Sequence, residues 1–126
     1  MALPTGTGSE ILKRTTINNQ SNTATAFRWD GLATTGTSSY TVPALHIITV
    51  LNIIIAENSG GDEEFKLYGD TGAGSVYLVT RKALPTNDTF VWNDKLVLHP
   101  GDKLSINFFA ATNIDIWCSF IDQDWT

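Results

Sequence analysis

His46 and His99 are the only imidazoles in 126 residues. Imidazole is the usual group for proton transfer near neutral pH and a frequent zinc ligand. Here no H-x-x-x-H spacing and no cysteine pair accompanies either one, so no metal is expected. His46 opens an apolar run and reads as half-buried and hydrogen-bonded. His99 precedes Pro100-Gly101 and reads as exposed in a turn. Ser9 stands in GTGSE, outside any G-x-S-x-G nucleophile elbow. Asp70-Thr71-Gly72 spells part of an aspartic-protease signature, but once only, within a glycine-rich turn and without the apolar element that should follow. Asp62, Glu63, Glu64 and Asp70 gather around glycine-rich loops, as calcium ligands do. Their spacing departs from D-x-[DN]-x-[DN]-G, so they read as solvated loop charge. The expectation is no enzyme, no cofactor and no metal.

Cys118 is the single cysteine, which excludes an intrachain disulfide. It alternates with Ile116 and Phe120 and reads as a small buried hydrophobe. Four tryptophans are many for this length: Trp29, Trp92, Trp117 and Trp125. Such rings anchor interfaces or stack on sugars. Trp92 and Trp117 fall at strand positions and suit sandwich packing, with Trp117 covering a neighbouring surface. Trp125 should dock on its own domain or on a neighbour. Trp29 and Trp125 are therefore candidate interface residues.

These residues need elements to hold them. The element around which the chain is organised is Leu45 to Ala56, LHIITVLNIIIA. Its Val, Ile and Thr favour a pleated strand over a helix. Strict alternation puts Ile47, Leu51, Ile53 and Ile55 on one side and Ile48, Val50, Ile54 and Ala56 on the other. A run apolar on both faces reads as a central strand covered on both sides. One face would pack in a core. The other needs the N-terminal arm, a long loop or another subunit, which points to an oligomer. At about 12 residues the run is too short for a helical membrane span of roughly 20.

Elsewhere the strands are short and the turns frequent. Strands are expected at 10–18, 23–29, 64–68, 76–81, 89–92, 95–98, 103–109 and 114–120. Asp30-Gly31 signals a turn and LATTGTSS a polar loop. Pro100-Gly101 suits a type II turn. About eight or nine strands and no helical period make the chain all-β. An antiparallel two-sheet sandwich, jelly-roll-like, buries such a central strand without helices. Residues 1–9, MALPTGTGS, lack apolar periodicity and read as a flexible N-terminal arm. Residues 10–126 form one domain. Leu3, Pro4 and Thr5 in the arm are candidate interface residues.

Hydrophobic residues make up 42% of the chain and charged ones 17%, with a net charge of −5. Residues 1–56 hold three bases against two acids, and residues 57–126 hold five against eleven. An acidic chain without a basic stripe is a poor nucleic-acid binder. MALPTGTGSE lacks the basic start and apolar core of a secretion signal, so synthesis in a cytoplasm is expected.

From Leu84 to the C-terminus the chain resembles the C-terminal half of small virion proteins of tailed bacteriophages. The parts are Leu84-Pro85, Thr89 to Trp92, Leu96 to Leu98, Gly101-Asp102, Leu104 to Phe108 and Ile114 to Asp122. ITVLNIIIAEN and FKLYGD extend the resemblance into the first half, to about two thirds of the chain. It implies a non-enzymatic structural protein on the capsid exterior: a decoration or cement protein, commonly trimeric, bound to major capsid protein. A neck, collar or tail component is a second possibility. A carbohydrate-binding module, with Trp29 or tyrosines exposed in a coplanar row, is a third.

Overall fold

The computed structural model describes residues 8–20, 23–35, 38–58, 60–110 and 113–126, with the backbone alone at 19, 20 and 35. Among these residues the chain forms ten strands and no helix: β1 (Ser9–Gln20), β2 (Thr25–Ala26), β3 (Ala33–Thr35), β4 (His46–Glu57), β5 (Glu63–Asp70), β6 (Ser75–Leu84), β7 (Thr89–Trp92), β8 (Leu96–Leu98), β9 (Lys103–Phe108) and β10 (Ile114–Asp124). The larger sheet runs β3-β1-β10-β4-β7, with β8 also on β4; the smaller runs β2-β9-β5-β6. The two pack as a sandwich, as the strand pattern predicts. One pair departs from antiparallel order: β1 and β3 run parallel from Thr16–Ala33 to Asn18–Thr35. LATTGTSS is thus not wholly a loop. The Thr15 hydroxyl donates to the Leu32 carbonyl at 3.0 Å and Arg14 to the Gly31 carbonyl at 2.9 Å, which holds Ala33–Thr35 against the edge of β1.

The central strand is where alternation fails. Ile48, Val50, Ile53 and Ile55 are all completely buried, on one face. The register with β10 explains it: Val50 pairs with Phe120 and Asn52 with Ser119, which leaves Leu51 as an extra residue. This bulge inverts the phase of the strand at its middle. Strict alternation therefore assigned Ile53 and Ile55 to the wrong companions. Past the bulge the inner positions end on Glu57, which is buried and accepts the Asn87 N–H at 2.7 Å. Asn87 itself takes a left-handed conformation (φ 58°) in the turn that carries this N–H.

The core collects the inner residues of both sheets: Ile17, Ile48, Ile53, Cys118 and Phe120 from the larger, Phe65, Leu67, Leu104 and Phe108 from the smaller. Each such side chain contributes roughly 1.5–3 kcal/mol on burial. Trp29 belongs here too, 1% exposed, edge-on to Phe120 with centroids 5.0 Å apart and 6.0 Å from Phe27. The His99–Asp102 turn has Gly101 at φ 88° and closes with Asp102 N–H on the His99 carbonyl at 3.0 Å, as a type II turn requires.

The first and last strands are neighbours along their whole length, from Ser9 opposite Asp124 to Gln20 opposite Ile114. β1 thus begins at Ser9, the last residue of the expected arm. A Cβ on Gly8 would lie 2.8 Å from the Asp124 carbonyl and 2.9 Å from the Trp125 ring. Leu3, Pro4 and Thr5 lie outside the described residues.

Candidate interaction surface

The register fixes what the outer face of the larger sheet presents. Thr16, Trp117, Ile54 and Val91 stand in one cross-strand row over β1, β10, β4 and β7. Leu12, Ile121, Thr49 and Val97 stand in a second row over β1, β10, β4 and β8. Between them lies the polar row Arg14, Ser119 and Asn52, beside the Leu51 bulge. The apolar members are open: Leu12 is 72% exposed, Val97 55%, Trp117 49%, Val91 44% and Ile54 37%. A half-buried solvent face ordinarily carries polar residues at these positions. Trp117 rises between two grooves. One, about 280 Å³, is lined by Thr16, Ile54, Ala56 and Ile116; the other, about 430 Å³, by Leu12, Arg14, Leu51 and Ser119. The Arg14 guanidinium lies 5.5 Å from the Trp117 ring, a cation–π contact.

One end of this sheet carries the chain's charged cluster. Asp122 is 2% exposed and accepts from Lys13 Nζ at 2.9 Å and from His46 Nδ1 at 2.8 Å. His46 Nε2 lies 3.5 Å from Asp124 Oδ1. His46 is thus half-buried and hydrogen-bonded as the sequence suggests, with both ring nitrogens directed at carboxylates. Trp125 lies at this end, its backbone N–H donating to the Leu45 carbonyl at 2.9 Å. It docks on its own domain and stays half-exposed. The Thr126 hydroxyl and N–H bond to the Asp124 carboxylate and hold its pKa below the usual carboxylate range.

The smaller sheet shows solvent a different face. Lys66 Nζ sits 5.7 Å from the rings of Tyr68 and Tyr77 and 5.8 Å from Phe109. Arg81 stacks 4.3 Å over Phe109 while pairing with Glu64 at 2.8 Å. Tyr68 and Tyr77 are inclined at 44° to one another. They form no coplanar row, and Trp29 is inside the core. The sugar-platform reading, which needed those rings flat and open, has no such surface at these residues.

Three of the four acidic residues that could have held calcium, Asp62, Glu64 and Asp70, are engaged elsewhere. Asp62 accepts the Thr86 N–H and hydroxyl, each at 2.9 Å, and its pKa is lowered by them. Glu64 pairs with Arg81, and Asp70 closes the glycine turn on the Gly72 N–H at 2.8 Å. Asp70-Thr71-Gly72 is a turn. Among the described residues no group of three or more His, Cys, Asp or Glu side chains is placed to hold a metal ion. His99 is exposed, and no helix among the described residues is long and apolar enough to cross a membrane.

Of the candidate interface residues, Trp29 is corrected: a fully enclosed ring offers no face to a partner. Trp125 keeps a half-open ring at the end where Gly8 leaves the sheet. Trp117, expected to fill the sandwich, stands outside it. Leu12 and Ile54 were not singled out in the sequence. The odd-numbered positions of IDIWCSF, opposite the core residues Ile116 and Cys118, were the signal for Trp117. Ile54 was hidden by the bulge.

No family model matches the sequence, and no curated protein does either. Solved structures do share the fold. A pilus protein of Bacillus endospore appendages superimposes with a TM-score of 0.56 at 12% identity, over 100% of this chain and 97% of that one. A chain of the acid-stable capsid of Helicobacter pylori bacteriophage KHP30 gives 0.52 at 6% identity, over 94% of this chain and 91% of that one. A chain of the virus-like particle of the prawn extra small virus gives 0.45 at 9% identity, over 98% and 85%. The likeness defines an all-β, jelly-roll-like sandwich and extends to the fold alone.

Proposed function

We propose that this chain is a non-enzymatic structural protein of a bacteriophage virion, a decoration protein on the capsid exterior that binds neighbouring major capsid subunits. The observation that carries the reading is the pair of exposed apolar rows on the outer face of the larger sheet, on a chain that folds over nearly its whole length like a pilus protein and a capsid chain. A protein built to assemble exposes such a face; one that works alone in water rarely does. The contacts to the capsid subunits are Leu3, Pro4 and Thr5 together with Trp125. Copies of the chain associate into a homo-oligomer, which the resemblance makes a trimer. Many modest contacts repeated over a lattice then add by avidity to a large resistance to rupture.

Quantitative mass spectrometry of purified particles tests this. The expected ratio is one copy per major capsid subunit, or one per few. A ratio of one in tens moves the chain to the neck, collar or tail. Absence from particles refutes the virion reading.

A further inference from the structure

We infer that copies of this chain pack against one another through the outer face of the larger sheet, with Trp117 and Ile54 among the residues that make the contact. The inference rests on the homo-oligomeric part of the reading above and names its surface; the same face on both copies makes a twofold pair, where the resemblance implies a trimer.

Size is the first argument. Five same-face rows, from Glu10–Gln123–Ile47 to Asp115–Ala56–Thr89, cross the sheet. With strands about 4.8 Å apart and rows about 6.8 Å apart, the face measures roughly 19 by 27 Å, near 500 Å². Two such faces together bury about 1,000 Å², where specific interfaces begin.

Charge is the second. Each copy carries −5 and repels its like. Across these rows the charged residues are Glu10, Arg14 and Asp115, so two opposed faces set little like charge together. The smaller sheet, by contrast, turns Glu64, Lys66 and Arg81 outward. A nucleic acid or a strongly charged protein would find few counter-charges on the larger sheet, whereas a second copy brings matching apolar rows. The third argument is shape. The same face carries a knob, Trp117, and a groove on either side of it, so a copy supplies both the ring and its seat.

The experiment is the solution mass of the purified chain by light scattering and sedimentation over a concentration series. The expected wild-type mass is a multiple of 13.8 kDa. Trp117→Lys and Ile54→Lys, each folded by circular dichroism, should weaken association by roughly 30-fold or more, as loss of a hot-spot residue does. Leu12→Lys, on the most exposed of these side chains, gives the same readout with the least demand on folding. Tyr77→Lys, on the other sheet, should keep the wild-type mass. A wild-type chain that stays at 13.8 kDa throughout overturns the inference, as do folded lysine variants that associate like the wild type. Oligomers in solution with the chain missing from particles uphold this contact and remove the virion reading. A monomer that is abundant on particles does the reverse.

Discussion

Deleting one residue from β4 should have opposite consequences at two sites three residues apart. Removing Leu51 takes out the bulge. Val50 then precedes Asn52 in regular alternation, and Ile48, Val50, Ile53 and Ile55 all keep their inner places and their partners on β10. The loss is that of a half-buried leucine, about 1 kcal/mol. Removing Ile54 inverts everything after it. Ile55 moves to the outer face, Ala56 takes its buried site, and Glu57 swings away from the Asn87 N–H it now holds at 2.7 Å. An isoleucine-to-alanine exchange in a core costs about 2–5 kcal/mol, and the stranded polar groups about 1–3 more. The second deletion should therefore remove roughly 3–8 kcal/mol, a large share of the 5–15 kcal/mol of a typical domain. Urea unfolding followed by tryptophan fluorescence measures both. Equal costs within about 1 kcal/mol would refute the idea that the bulge sets the phase of this strand.

Asp122→Asn should destabilise the chain by about 2–4 kcal/mol, because Lys13 and His46 both lose a buried carboxylate; a change below about 1 kcal/mol in urea would show that Asn holds both partners as well. Burial pushes the Cys118 thiol up to about 12. Iodoacetamide at mildly alkaline pH should thus label it only as fast as the protein unfolds, and rapid labelling of the native chain would contradict this. In acid, the carboxyls of Asp30 beside Arg28, Glu64 beside Arg81, Asp62 on Thr86 and Asp124 on Thr126 all have pKa values lowered by folding. Their contribution is present above the unfolded values near pH 4 and is lost as pH falls through the folded ones. The urea midpoint should accordingly fall below about pH 4, and a midpoint that rises there would refute the assignment.

Much of this sandwich is legible in local chemistry. The His99–Asp102 turn, the alternation of Lys103–Phe108 and the burial of Cys118 follow from spacing and residue type alone, because each depends on near neighbours. What was not legible depends on distant ones. The bulge at Leu51 exists because β10 offers one residue fewer than β4 between Phe120 and Ser119, and nothing in LHIITVLNIIIA shows that count. Trp29 ends a polar–apolar strand near a turn, where a ring could lie either way. It is the approach of Phe120, 91 positions later, that encloses it. Ala33–Thr35 looks like loop because its pairing is with Thr16–Asn18 and its composition is polar. For the candidate surface the limit was the same: the rows that make it are contiguous only across four strands.

The pairing of β1 with β10 also governs when the molecule can become itself. Residues 9 and 124 face each other, and β10 lies between β1 and β4 in the larger sheet. A chain emerging from a ribosome can close the β5–β6 hairpin early, since its strands are sequence neighbours. The larger sheet cannot close until β10 is free. Such non-local closure is slow to form. During that interval β1 and β4 wait with open edges and with Leu12 and Ile54 uncovered. Open strand edges and uncovered apolar side chains are what draws incompletely folded chains into aggregates.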